Sequence, residues 1–486
     1  MLNEKPFPFT GDHPHFGVHG WRELLGKSEN IPAVDMARHF LITGETGSGK
    51  SVSAVIPLLR AALRYPERAA YKAYRLRAGD AAEGQERLRP AVLVVDPKQE
   101  LHEVVNREAG KRKVTTLCYG TPGKVLYFFE GKDVTKMSAI EAVDSILAQS
   151  DFYTRDLATT REPCWNIQAA NLIKDFVAVD MYLAKQGMDK LHALWQKVRE
   201  ELGKFEEYAP ICPMLQYNKL NYFKPIGVLV AYSTSTEASY PLGVYLEACN
   251  AMKVPGELTA RLVTVMSLAH VTRSSVVWMA NGILGDIASD EFAACVSLNP
   301  IEAPEDSFSV REMLDKGDVL VYIPTVSPSA IADTVGRCIK AKFMEFVFTR
   351  TNKVRPFGYI VDEAHRFITA GESDGEQSLL DRCRAYRTFV VLSTQSIASL
   401  MVRLEGNAIL GTSALQVMLN NCGNALYFRS SDIATQQNVQ ARIPECPVLG
   451  RPHVVKVRPL TSLGTGSCYA MRANGTWGLF HVHVSS

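Results

Sequence analysis

In HFLITGETGSGKSVSAVIPLL, residues 39–59, a short apolar run breaks into glycines and then resumes with helical apolar spacing. Strand, glycine-rich loop and helix are the setting in which G-x-x-x-x-G-K-[ST] carries meaning, and Gly44, Gly49, Lys50 and Ser51 fill its fixed positions. The backbone N–H groups of Gly44, Glu45, Thr46, Gly47, Ser48, Gly49, Lys50, Ser51 and Val52 are therefore expected to converge on phosphate oxygens at a helix N-terminus. Lys50 is expected to reach the outer phosphates of ATP, and the Ser51 hydroxyl to ligate Mg2+.

Such a loop needs a metal-organising aspartate at the end of another strand and a group that positions the attacking water. GYIVDE, residues 358–363, supplies both: Asp362 for the metal shell and Glu363 to orient or deprotonate water. The tetrapeptide Asp362 to His365 also spells DEAH, the badge of a helicase class. In that class both acidic and glycine-rich motifs lie in one compact domain, followed by a second α/β domain. Here about 310 residues separate Lys50 from Asp362 and only about 120 follow, which leaves no room for the second domain. Ala364 and His365 are accordingly expected to be incidental.

The chain of 486 residues is 47% apolar and 21% charged, an ordinary globular composition with room for several domains. Lysines and arginines number 53 against 51 acids, so the net charge of +2 excludes a globally basic nucleic-acid binder and confines such contacts to local surfaces. The basic segment of residues 60–89 reads first as a solvated helix and loop. The ten cysteines show no CxxC pairing, which suits a reducing cytoplasm. No segment approaches the roughly 18 apolar residues of a membrane helix.

Residues 1–35 are expected to form an irregular lead-in with one short helix at WRELLGK. An α/β core with a parallel sheet is expected over 36–130 and again over 310–486, where DVLVYIP, FGYIVDE and TFVVLSTQ alternate with helical segments. Between them, 131–309 reads as an inserted all-α domain, and Asn474-Gly475 marks a C-terminal β-hairpin. HPHFGVH and HVHV form no convincing metal-ligand set, and Trp165, Trp195 and Trp278 are expected in helical cores rather than as base-stacking platforms.

Taken in order, these motifs resemble the type IV secretion coupling proteins, the TraG/TraD-like conjugative DNA-transfer ATPases related to FtsK/HerA-type motors. The resemblance spans residues 16–480 and is carried by FGVHGWREL, GETGSGKSVSAVIPLL, VVDPKQEL, EPCWNIQAANLI, SVREMLDKGDVLVYIP, YIVDEAHRF and RCRAYRTFVVLSTQS. It implies that Asp96 and Lys98 lie beside the nucleotide, that Gln395 senses the γ-phosphate, and that Arg384 reaches into a neighbouring subunit's site, with Arg382 and Arg387 as rivals. It further implies that the α/β core is RecA-like and that the protein is a homo-hexamer contacting the DNA backbone without reading sequence, with a relaxase or secretion-channel proteins as partners. Many members of the family begin with membrane-spanning helices that this sequence does not show, so a cytoplasmic protein brought to the inner membrane through a partner, a piece of a longer protein, or a relative with another task is expected. An ATPase platform recruiting protein substrates, and a soluble HerA-like ATPase of repair or defence, are the alternatives. Gln99 departs from the family pattern, which has glycine there.

Overall fold

The computed structural model describes residues 13–22, 28–150, 164–234, 239–350, 353–369, 375–404, 410–443, 459–475 and 477–481. The chain divides into two compact units, the first of Met1–Thr116, Val310–Ser327 and Lys340–Ser486, the second of Leu117–Ser309 and Pro328–Ile339.

The strands in chain order are β1 (Phe16–Arg22), β2 (Ser28–Ile31), β3 (Phe40–Thr43), β4 (Ala91–Val95), β5 (Val114–Cys118), β6 (Val125–Tyr127), β7 (Val296–Ser297), β8 (Ser307–Phe308), β9 (Val319–Ile323), β10 (Phe357–Val361), β11 (Thr388–Thr394), β12 (Asn424–Tyr427), β13 (Ser467–Met471) and β14 (Trp477–His481). Nine of them form one sheet in the order β14-β13-β12-β3-β11-β10-β4-β9-β5. From β12 to β9 neighbouring strands run parallel. Every residue of β3, β4, β9, β10 and β11 is buried, as expected of apolar runs covered on both faces. Gly358 of β10 leaves space for the ring of its register partner Phe389, which approaches to 2.4 Å of where a Cβ would stand. The α/β core and parallel sheet thus match the reading of the sequence.

β13 and β14 close the sheet as an antiparallel hairpin, paired from Ser467↔His481 to Met471↔Trp477, with Gly475 at φ +84° in its turn. At the other end of the chain, Phe16–Arg22 is a strand that pairs antiparallel with Ser28–Ile31, so Trp21 and Arg22, the first two residues of the helix expected at WRELLGK, are strand, while its residues 23–27 lie outside the described residues. Phe16 fixes this hairpin, stacking on Tyr65 with centroids 3.9 Å apart and meeting Phe389 edge-on. The lead-in is therefore ordered sheet over these residues rather than irregular.

His39, just before β3, ties the sheet to a helix. Its Nδ1 accepts from Val390 N at 3.2 Å, which leaves Nε2 to donate to Leu380 O at 3.1 Å. Burial lowers its pKa to about 4. Unfolded, the imidazole takes up its proton near pH 6.5; folded, it does so only near pH 4. Between these values the unfolded chain binds more protons, so stability is complete above pH 6.5 and falls as the pH drops towards 4. About 3 kcal/mol is at stake. Urea midpoints measured over this range should fall in the native sequence and fall less in His39→Asn; identical slopes would refute this account.

The second unit is mainly helical, its longest helices being Cys164–Gln186 and His270–Ile287, which pack together. Asp175 caps the helix Ala260–Ser267 by accepting from Arg261 N and Leu262 N, each at 2.9 Å. Besides its helices, this unit carries a small parallel sheet of β6, β7 and β8. Trp195 is buried as expected and Trp165 is half-buried, but Trp278 is 60% exposed, because its helix turns Val276, Val277, Ala280, Ile283 and Leu284 inward instead. No described helix is long and apolar enough to cross a membrane.

Candidate active site

The C-terminal ends of β3, β11, β10 and β4 lie side by side, the position at which open α/β sheets bind ligands. β3 runs into the glycine-rich loop. Gly47 and Gly49 adopt φ of +76° and +92°, which side-chain-bearing residues rarely do. Thr46 and Gly47 are exposed, whereas Ser48 and Lys50 are buried. Lys50 Nζ donates to the carbonyls of Gly44 and, at 3.2 Å, Glu45. The following helix starts with a widened, π-type turn over Ser51–Val55 before continuing as Ile56–Arg64. Pro57 explains the widening, since it has no N–H for the Ser53 carbonyl and its ring would strike that group in regular winding. Val52 is 45% exposed at this N-terminus.

β10 delivers Asp362 and Glu363. Asp362 is 2% exposed, and its Oδ1 accepts from Ser393 Oγ at 2.7 Å and from Glu363 N at 3.0 Å. Glu363 stands at φ +51°, a left-handed backbone that is costly for a residue with a side chain and is concentrated at functional sites. Lys98 Nζ bridges the pair, 3.0 Å from Asp362 Oδ2 and 2.7 Å from Glu363 Oε1. Burial works against the charge on Lys98, but the two carboxylates outweigh it and raise its pKa. For Lys50 burial comes first and the nearby Lys98 charge second, and together they lower its pKa despite Asp362, Glu363 and Glu45.

The other predicted residues separate. Gln395 follows β11, the strand between the glycine-loop strand and that of Asp362; its carbonyl accepts from Gly44 N at 3.2 Å and its side chain is exposed. Asp96 is fully buried and caps the helix Leu101–Glu108, accepting from Glu100 N and His102 N at 3.2 and 2.8 Å. One bond to each oxygen makes Asp96 a brace for the loop bearing Lys98. Arg387 is likewise committed: it is 3% exposed and donates to Glu83 at 2.7 Å and to Val354 O at 2.8 Å. Arg382 lies over the Phe348 ring at 4.5 Å. Arg384 is exposed and has no side-chain hydrogen bond or ion pair among the described residues.

Gln99 adopts φ +60°, which shows why glycine suits this position. Left-handed backbone costs an L-residue roughly 1–2 kcal/mol, partly offset by glycine's greater freedom in the unfolded chain. Gln99→Gly should therefore raise stability by about 0.5–1 kcal/mol in urea unfolding, and a loss of stability would contradict the strain.

Four contributors were not foreseen. Ser393 grips Asp362; its hint was the polar end of an apolar strand. His365 Nδ1 lies 3.6 Å from Glu363 Oε2 and 3.3 Å from Thr394 Oγ1, so the histidine set aside as incidental adjoins the acid and the Gln395 strand. Arg429 pairs with Glu45 at 2.5 Å beyond the end of β12. Gly466 N donates to Ser48 O at 3.0 Å, and a Cβ on Gly49 would stand 2.8 Å from that nitrogen. Of the sequence's histidine clusters, His13 faces Glu83 at 3.4 Å, while His483 lies outside the described residues.

This architecture matches solved structures of the bacterial conjugative coupling protein TrwB. The trigonal form of TrwBdeltaN70 with sulphate superposes with a TM-score of 0.53 at 15% identity, over 94% of this chain and 88% of that one. TrwB with the non-hydrolysable GTP analogue GDPNP gives 0.52 at 14% identity, over 94% and 88%. The chain has the coupling-protein fold. TrwB with ADP and Mg2+ gives 0.50 at 14% identity over the same shares. No protein-family model matches the chain, and no curated protein matches its sequence. The coupling-protein fold extends over both units, and the residues gathered at its strand ends are those described above.

Proposed function

We propose that the chain is a Mg2+-dependent ATPase that drives DNA, or a nucleoprotein, towards a transfer channel of a type IV secretion or conjugation system. One observation carries the reading: a buried Asp362–Glu363 pair stands across β11 from a glycine-rich loop with its lysine already seated, within a coupling-protein fold. The residues fit a divalent cation, because Asp362 and Glu363 already share a cationic group, the Lys98 ammonium. Asp362 and the Ser51 hydroxyl would hold Mg2+, whose chemistry is to neutralise phosphate charge. The TrwB complexes with ADP and Mg2+ and with a nucleoside triphosphate analogue support this ligand class.

In this mechanism the loop amides and Lys50 hold the phosphates, and Glu363 orients a water for in-line attack and takes up its proton. Gln395 contacts the γ-phosphate, and Arg384 serves the site of the next subunit in a ring, a homo-hexamer by likeness to the family. DNA is held by its backbone, and a relaxase or channel protein delivers and receives it; membrane association comes through such a partner. The test is ATP hydrolysis by the full chain with and without single- and double-stranded DNA at several salt concentrations. A motor is stimulated by DNA, and stimulation declines steeply as salt rises. ATPase activity indifferent to both forms of DNA would sink the translocase and favour a recruitment platform.

A further inference from the structure

Lys50 and Lys98 share one cluster of charge but are held differently. Lys50 is buried and anchored to two backbone carbonyls of its own loop, Gly44 and Glu45. Lys98 is held by side chains alone, Asp362 Oδ2 at 3.0 Å and Glu363 Oε1 at 2.7 Å, and its side chain is 34% exposed. It lies in the turn between β4 and the helix Leu101–Glu108, a turn braced by Asp96. One ammonium group thus compensates two adjacent carboxylates with side chains only 2% and 9% exposed. Successive buried carboxylates repel strongly, so some cation must accompany them.

We infer that Lys98 is a displaceable counter-ion: it occupies Asp362 and detains Glu363 until a divalent cation takes its place. The inference rests on the reading of Asp362 as a metal ligand. A divalent ion at the Asp362 carboxylate places two positive charges beside an ammonium group that already faces Lys50. Lys98 is the member of the cluster free to give way, since its path leads to solvent and no backbone group retains it. Once Lys98 leaves, Glu363 Oε1 loses its ion-pair partner and becomes available to water. Lys98 is in this sense a positioning residue, which ties release of the base to loading of the site.

Mn2+ binding by the full chain, followed by the EPR signal of free Mn2+ with and without ADP, tests this without reference to turnover. Lys98→Met should bind Mn2+ in the absence of nucleotide at least about tenfold more tightly than the native protein, because its cationic competitor is gone. Lys98→Gln, which keeps a donor but no charge, should match it. Lys98→Arg should stay within about threefold of the native affinity, since the charge remains. Equal nucleotide-free affinities in the native protein, Lys98→Met and Lys98→Gln, together with lost ADP-dependent Mn2+ binding in Asp362→Asn, would overturn the counter-ion and leave the metal reading standing. ADP-dependent binding unchanged in Asp362→Asn would overturn both.

Discussion

Glu363→Gln is expected to lower kcat for ATP hydrolysis by about 10²–10⁴ while nucleotide binding stays within about threefold of the native value. Among the described residues, Glu363 Oε2 is a buried carboxylate oxygen without a hydrogen bond, standing 3.6 Å from His365 Nδ1. Such an acceptor is costly to maintain unless a ligand completes it. Glutamine preserves the size and the Lys98 contact geometry but cannot take a proton from water, so the loss should fall on kcat rather than on affinity. Single-turnover hydrolysis together with fluorescent-nucleotide titration separates the two. Native-like turnover in this variant would remove Glu363 from its role.

How far the sequence could be read follows from how far apart the contributing residues lie. The loop of Gly44–Ser51 and the pair Asp362–Glu363 were legible because each motif is local: an apolar strand followed at once by the polar residues it presents. The parallel sheet was legible for the same reason, since strands buried on both faces are written as unbroken apolar runs such as AVLVV and VLVYI. Contacts across strands were not. Gly466 meets Gly49, and Arg429 meets Glu45, across intervals of several hundred residues with no pattern linking them. Trp21 and Arg22 read as the start of a helix because charged and apolar residues follow at helical spacing, yet they end the strand Phe16–Arg22, whose Phe16 packs on Tyr65 and Phe389. Tertiary context overrode local preference there. Asp96 and Arg387 show contacts that sequence does not reveal: Asp96 caps the helix Leu101–Glu108, and Arg387 donates to Glu83 and to Val354 O.

Among the three candidate arginines, Arg382, Arg384 and Arg387, burial sets apart only Arg387, and the contacts of the other two lead to the second large effect. Arg387 is locked to Glu83, whose carboxyl burial would raise but which His13 and Arg387 together bring down to about 2. Removing Arg387 would therefore test folding rather than chemistry. Arg382 rests on Phe348, and Arg384 projects from the end of the helix Glu376–Cys383 with no partner among the described residues. A long cationic side chain left solvated in this way gains nothing for its own subunit. Placed against developing phosphate charge in a neighbour, such a group is worth about 10³–10⁵ in rate. Arg384→Ala should accordingly lose about 10³-fold or more in kcat, whereas Arg382→Ala should change it by less than about tenfold. The decisive measurement mixes two inactive proteins. In oligomers containing both Glu363→Gln and Arg384→Ala subunits, about a quarter of the interfaces join an intact Glu363 to an intact Arg384 from the next subunit. Activity should return in differently tagged, co-purified oligomers and be absent from either variant alone. Mixed oligomers as inactive as their parents would place the function of Arg384 within its own subunit, and with it would go the argument that the site is completed in trans.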